Sequence, residues 1–384
     1  MQDENTFSSR TAPPVPVAVW GAGNMGRAAI RGVLAHPGLR LTAVLTHDAG
    51  KVGRDAAELA GLTAPSGVTA RPVDDVPSVL AGLRDGAVAY MASGDLRGED
   101  ALADVCGALA AGVDVVTPSL YELYDPRGAA PAVVRPAQEA ARAGGSSLLV
   151  SGIDPGWAND VLPVLASGLT GRIREVRCQE IFDYFDYSDY DAEHTVRALV
   201  GMGGPMDVVP PMVAPGIPTM VWGGQVRLLA RALGLELEAI RERVERCPLD
   251  ADATTRLGFF ARGTQGALRF EVQGIVAGRP VVVIEHITRI VPTCALAWPL
   301  PPDGADGAHR VILDGDPRLE LTIEASTEEG RAAGGNATAA WRLLDAVPWL
   351  KAAPPGLYDA LDVPLRPAVG RFDLSPAIPS EEPA

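Results

Sequence analysis

VPVAVW at 15–20 is a short apolar run closed by Gly21, and such a run predicts a buried strand. MGRAAIRGVLAH follows with helical spacing, placing Met25, Ala29 and Val33 beside Ala28 and Gly32. LRLTAVLTH (39–47) alternates as a second strand, and AVAYMA (87–92) reads as a further one. In DLRGEDALADVCGALAAG, Leu102, Val105, Cys106 and Leu109 fall at i, i+3, i+4 and i+7, an amphipathic helix closed by Gly112. VDVVTP, the Pro-started helix PAVVRPAQEAARAGG and SLLVSG complete the series. Strand and helix alternate, which predicts an α/β fold: a parallel sheet with helices on both faces.

Beyond Trp157 the rhythm changes. NDVLPVLASGLTG has helical character, REVRCQEIFDYFDYSDYD reads as a strand running into an aromatic and acidic loop, and VWGGQVRLLARALGLELEAIRERVERC reads as helical throughout. ALRFEVQGIVAGRPVVVIEHITRIVP predicts two strands around the turn Ala277-Gly278-Arg279-Pro280. There Leu268, Phe270 and Val272 alternate with Arg269, Glu271 and Gln273, the mark of a half-exposed strand, and His286 shares a face with Ile284 and Thr288. HRVILDGDPRLELTIEA adds a strand pair, and NATAAWRLLDAVPWLKAAPPG is a helix stopped by Pro354-Pro355-Gly356. The expected organisation is a Rossmann domain over 15–155 and an α+β domain with an antiparallel or mixed sheet over 156–334. Residues 1–14 and 374–384 are expected to be disordered ends.

A length of 384 residues favours two domains, and 47% hydrophobic content suffices for sizeable cores. The net charge of -15 disfavours nucleic acid or an anionic membrane as partner. Lys51 and Lys351 are the only lysines, so mechanisms that need a buried catalytic lysine elsewhere fall away. Cys106, Cys178, Cys247 and Cys294 are widely spaced along the chain, and reduced structural thiols are expected. The polar start carries no apolar signal-peptide core, and no window is apolar enough to cross a membrane, so a cytoplasmic protein is expected.

The turn after the first strand is Gly21-Ala22-Gly23-Asn24-Met25-Gly26, a complete G-x-G-x-x-G between strand and helix. It predicts a dinucleotide whose pyrophosphate meets the helix N-terminus. Coenzyme choice should lie after the second strand, where Thr46 replaces an acid and His47, Lys51 and Arg54 stand near Asp48. These cations favour NADP, with NAD the alternative and a solvated loop the plain reading. Ser93, Gly94 and Thr117 lie at further strand ends that would face the same ligand.

Hydride transfer asks the protein to hold a substrate and manage a proton or charge. The loop acid Glu122, beyond VDVVTP, is either catalytic or a capping residue, and His286 is either a catalyst or a satisfied sheet histidine. Tyr121, Asp154, Pro155, Tyr184 and Tyr187 are candidates for the substrate pocket, with Glu180 on an undetermined face. No metal site is expected, since the five histidines never pair at i, i+4 and no Cys/His cluster exists.

The run from VAVWGAGNMGRAAIRGVLAH through YMASGD, VVTPSLYELYDP, SGIDPGWANDVLP, EIFDYFDYSDYD, VVVIEHITRI and NATAAWRLLDAVPWLKAAPPGL resembles the dihydrodipicolinate-reductase-like superfamily. Within it, the chain is similar to the branch of native amine dehydrogenases and 2,4-diaminopentanoate dehydrogenase, over about residues 15 to 365. The resemblance implies a terminal helix at 335–365 that completes the Rossmann domain, with Asn336 joining the dinucleotide-binding candidates. It also implies a cleft between domains, dimerisation through the α+β domain, and Glu122 as the acid that holds ammonia or an amine nitrogen. The reaction implied is reductive amination of a small aldehyde or ketone with ammonia, and its reverse. Reduction of a C=C or C=O bond in a small acid, or coenzyme sensing without turnover, are the alternatives. The chain lacks the His-His-Lys pattern of true dihydrodipicolinate reductases, and it has Tyr121-Glu122 where relatives carry a glutamate pair.

Overall fold

The computed structural model describes residues 13–94, 97–185, 193–327 and 330–372. Apart from Pro13 and Pro14, the ends expected to be disordered lie outside that set, as does Tyr187.

The first half alternates as its patterning demands: β1 (Val15–Trp20), α1 (Asn24–Ala35), β2 (Leu39–Thr46), α2 (Ala56–Leu59), β3 (Ala70–Pro72), α3 (Val76–Gly82), β4 (Ala87–Tyr90), α4 (Gly98–Ala110), β5 (Asp114–Thr117), α5 (Pro131–Gly144) and β6 (Ser147–Val150). The three-residue edge strand β3 is too short to show a pattern in the sequence. The strands pair in parallel, with β1 between β2 and β4. Val17, Val19, Ala87 and Ala89 point to one face, where α1 packs, while Ala18, Trp20, Val88 and Tyr90 point to the other. The chain therefore turns from one side of the sheet to the other between β1 and β4, which opens a crevice at their C-terminal ends.

The second half contributes α6 (Val161–Ser167), β7 (Arg172–Asp183), α7 (Ile217–Ala232), β8 (Ala239–Pro248), β9 (Ala253–Thr255), β10 (Gly258–Phe260), β11 (Gln265–Val276), β12 (Arg279–Arg289), β13 (Gly307–Asp316) and β14 (Leu319–Ile323). Six of these strands form a mixed sheet in the order β14-β13-β7-β12-β11-β8, with β7 and β12 parallel and the other neighbours antiparallel. The α7 helix covers one face, burying Trp222, Val226 and Leu229 with Phe270, Val272 and Ile284. On the opposite face Glu271 and Glu285 are buried rather than solvated, because Arg177 and Arg269 pair with both. The half-exposed reading of β11 is corrected accordingly.

A second correction concerns 236–247, read as helix. Gly234 takes φ 69° and ends α7, and Ala239–Pro248 is the edge strand β8. Its charged residues form period-2 cross-strand neighbours as readily as helical ones, so composition alone does not separate the two.

The chain then returns to the first sheet. The helix α8 (Arg331–Leu350) lies against α1, and β15 (Gly356–Tyr358) extends the sheet beside β6. Close approach of the helices rests on Gly32, where an added Cβ would lie 2.5 Å from Leu344 Cδ1. No helix among the described residues is long and apolar enough to cross a membrane.

Candidate active site

Gly21 leaves β1 at φ 111°, and a Cβ there would lie 2.7 Å from the Ala92 nitrogen. At Gly26 a Cβ would lie 1.9 Å from the Gly21 oxygen. Both positions thus require glycine, and α1 seats on the turn only because side chains are missing. The helix start carries no side-chain cap and no acid in its first turn. Its amide groups and dipole therefore remain available to an anion.

Beside this turn lies a cleft of about 810 Å³ running from β2 across β1 and β4 to the second sheet. Its outer end is cationic. Lys51 Nζ donates to the Ala22 carbonyl at 3.1 Å, and Arg97 Nη1 lies 3.2 Å from His47 Nε2. Thr46 ends β2, and its Oγ1 accepts from the Asp48 amide at 3.1 Å. The glycine cradle, the uncapped helix and the cations together fit a nicotinamide dinucleotide, with Asn24, Met25, Ser93, Gly94 and Asn336 also lining the cleft.

The inner end is built by three neighbouring strands. Glu180 on β7 stands in register with His286 on β12 and His309 on β13, so all three side chains share one face of the sheet. Asp154 arrives from the loop after β6. His286 Nδ1 lies 3.4 Å from Glu180 Oε1 and its Nε2 lies 3.4 Å from Asp154 Oδ2, while His309 Nε2 is 3.6 Å from Glu180 Oε2. His286 stacks on Phe270, with ring centroids 4.9 Å apart, and contacts Trp222 at 4.5 Å. Asp154 is fixed by Gln225 Nε2 on one oxygen and Asn159 Nδ2 on the other, both at 2.6 Å.

Electrostatics divides the roles. Burial works against the Glu180 carboxylate, but His286 and His309 outweigh it and hold its pKa well below the usual range. Burial likewise works against a charged His286, and the Glu180 and Asp154 carboxylates overcome it, raising the imidazole's pKa. Burial dominates at Asp154 and pushes it up to about 6. Glu180 keeps 26% side-chain exposure and lines the cleft, whereas the Asp154 side chain is fully buried behind it.

Asp154, Glu180 and His286 each bring one ligating atom within 4.8 Å of the others, a metal-like grouping that sequence spacing did not reveal. Each ring nitrogen of His286 faces a different carboxylate, so the imidazole bridges the pair. The two carboxylates outnumber the imidazole that bridges them, so the cluster favours a positively charged group.

The other candidates distribute as follows. Gly21, Gly23, His47, Lys51, Tyr121, Asp154, Pro155 and Tyr184 line the cleft. Thr117 is fully buried and accepts from the Ser119 amide, and Arg54 is turned to an ion pair with Glu58 at 2.9 Å. Neither lines the cleft. Glu122 is exposed and absent from the residues lining this cleft. It follows Tyr121 in a single 3-10 turn entered through Leu120 at φ 66°, and successive residues there point about 120° apart. Only Tyr121 of the two reaches the cleft. Phe182, the first residue of the aromatic and acidic run, lines it as well, and His309 and Arg97 line it without having been singled out; strand register would have found His309, but a lone sequence does not contain it.

Residues 218–373 match the family model described as the 2,4-diaminopentanoate dehydrogenase C-terminal domain. A Streptomyces virginiae protein named amine dehydrogenase is 59% identical over 360 residues, covering 93% of this chain and 98% of that one. The solved structure of amine dehydrogenase from Mycobacterium smegmatis overlays with a TM-score of 0.73 at 22% identity, across 94% of this chain and 99% of its own. A biliverdin reductase from Synechocystis, solved with biliverdin and NADP+, overlays at 0.51 and 14% identity, across 91% and 96% of the two chains. At these identities the two structural likenesses speak to the fold.

Proposed function

The chain belongs to the amine dehydrogenase family, and on that premise we propose that it interconverts a small aldehyde or ketone plus ammonia with the corresponding primary amine, Glu180 holding the nitrogen. The observation that carries the assignment of Glu180 is its position: an ionised carboxylate at the inner end of the dinucleotide cleft, backed by a buried imidazolium.

A bound nicotinamide dinucleotide supplies the hydride for reduction and accepts it in the reverse direction. The protein's task is then to stabilise positive charge on nitrogen and to move one proton. Glu180 accepts N–H hydrogen bonds from ammonium and iminium, in a site where Tyr121, Phe182 and Tyr184 limit water. His286 does not line the cleft; it orients Glu180 and keeps it ionised. When a cation occupies Glu180, the His286 proton is disfavoured, and Asp154 on the far side of the ring is poised to receive it. Asp154 and His286 are thus positioning residues, and Glu180 is the catalytic carboxylate.

The coenzyme is proposed to be NADP. Thr46 rather than an acid stands at the β2 tip, Asp48 just beyond it is paired with Lys51 at 3.5 Å, and His47, Lys51 and Arg97 supply cationic groups there. Arg97→Ala should raise KM for NADPH about tenfold and leave NADH nearly unaffected, as one lost charge-assisted contact contributes about 1.5 kcal/mol. A wild-type preference for NADH would overturn the choice. Two copies are proposed to pair through the face of the second sheet opposite α7, and a monomeric sedimentation profile would refute that. Dependence on the intracellular coenzyme pool makes the cytoplasm the proposed compartment.

The function is tested by following NADPH oxidation with small aldehydes and ketones, with and without excess ammonium. Ammonium-dependent turnover is expected in wild type and in Glu122→Ala. In Glu180→Gln it should fall about 30-fold to several thousand-fold, the range for losing a buried charge partner. Ammonium-independent turnover would instead indicate C=O or C=C reduction. Activity that survives in Glu180→Gln but vanishes in Glu122→Ala would return the nitrogen to Glu122.

A further inference from the structure

The edge strand β8 ends at Cys247-Pro248, and Cys294 stands in the loop beyond β12. Folding brings these distant thiols onto one acceptor. Cys247 Sγ lies 3.6 Å from the Pro248 carbonyl oxygen and Cys294 Sγ lies 3.8 Å from the same oxygen, so the two thiols share one acceptor. Both are free cysteines.

A buried cation stands beside them. Arg289 is 1% exposed and feels the charge of both sulfurs. Its Nε donates to the Cys294 carbonyl at 3.0 Å and its Nη2 to the Pro299 carbonyl at 2.8 Å, but its Nη1 is buried with no acceptor among the described residues. A guanidinium N–H left unmet inside a protein is costly. A thiolate on either neighbouring sulfur would supply a negative charge for it, and the thiolate is the reactive form of cysteine.

We propose that Cys247 and Cys294 constitute a modification site, a dithiol that a hydroperoxide converts to an intramolecular disulfide. Cys247, half-buried at the sheet edge, is the thiol a small oxidant reaches. Burial, reinforced by the neighbouring Cys247, pushes the Cys294 thiol up to about 12, so Cys294 is not the first to react. The Cys247 thiolate attacks one peroxide oxygen and the O–O bond breaks, giving a sulfenic acid and one water after protonation. The Cys294 sulfur then attacks the Cys247 sulfur. An S–S bond forms, the S–O bond breaks, and the hydroxyl leaves with the Cys294 proton as a second water. Two thiols and one hydrogen peroxide thus become one disulfide and two waters, the sulfurs giving up the two electrons that the peroxide oxygens take.

The bridge would tie the end of β8 to the loop held by Arg289, whose carbonyl accepts from the amide of Tyr184 at 2.8 Å on the cleft wall. The reduced full-length protein is treated with hydrogen peroxide, its remaining thiols are alkylated in denaturant, and it is digested without reductant for mass spectrometry. The expected product joins the Cys247 and Cys294 peptides, is lighter by two hydrogens than their sum, and disappears with dithiothreitol. Cys294→Ser should instead accumulate a Cys247 sulfenic acid that dimedone captures, while Cys106 stays alkylatable in both proteins. Over-oxidation of Cys247 beside a freely alkylated Cys294, or a bridge to Cys106, would overturn the proposal.

Discussion

Asp154 has its two oxygens held by the buried amides of Gln225 and Asn159, and its charged neighbour is an imidazole rather than an arginine. Complete burial outweighs these partners and pushes its carboxyl up to about 6, while at Glu180 the two histidines outweigh burial and hold the carboxylate low. Below that value Asp154 is protonated and cannot receive the His286 proton, so kcat/KM should fall as pH drops through about 6. Asp154→Asn should flatten this acidic limb while lowering the plateau; an unchanged limb would remove Asp154 from the proton path. Stability follows the opposite partners. His286, raised in the fold, contributes fully below its unfolded value of about 6.5, and that contribution is lost as pH rises through its higher folded pKa. Glu180, depressed in the fold, contributes above about 4.3 and loses it as pH falls through its low folded pKa. Residue type alone did not separate Glu180 from Glu122. Both are glutamates near tyrosines, and the direction each side chain takes depends on a strand face in one case and a 3-10 turn in the other.

Among the elements, the turn from β1 into α1 is the one whose chemistry is written in local sequence. Its glycines answer contacts within a few residues, as the Gly26 position against the Gly21 carbonyl shows. Gly26→Ala should displace the start of α1, weaken coenzyme binding at least about tenfold and lower Tm, since overpacking typically costs about 1–3 kcal/mol or more. Retained coenzyme affinity, measured by fluorescence titration, would count against the cradle. The hairpin β11–β12 was equally legible, because period-2 alternation frames a two-residue turn, with Ala277 at φ 50° and Gly278 at φ 75°. The strand β8 was not. Its alternating arginines and glutamates gain their strand character from pairing with β11, a contact no local window contains.

At the scale of the molecule, α7 ties the second sheet to the first through charge. Asp125 is fully buried and accepts from Arg231 at 2.8 Å and Arg227 at 3.2 Å, and Arg231 also reaches Asp359 near the C-terminus at 2.9 Å. Arg127 pairs with the same Asp359 and with Asp362. This network fixes the segment just after Tyr121, whose side chain lines the cleft. Asp125→Ala should therefore cost about 2–4 kcal/mol in denaturant unfolding, the lower part of the range for a broken buried pair because both arginines keep some solvent. It should also raise KM for the carbonyl substrate; a stability loss with unchanged kinetics would limit the network to structure.

The sequence by itself determined what local patterning can encode. It set the alternation that makes a parallel sheet, the glycine turn that receives a dinucleotide, and the antiparallel ribbon of the second half. Each of these depends on neighbours a few residues apart, through strand period, helix period and backbone clearance. The inner end of the cleft was decided only by tertiary structure. Asp154, Glu180, His286 and His309 come from four separate segments, and what unites them is the register of three strands against one loop. The same holds for Cys247 and Cys294, distant in the chain and joined at one carbonyl. Desolvation and charge pairing, which set their protonation, arise only once folding has removed the water between them.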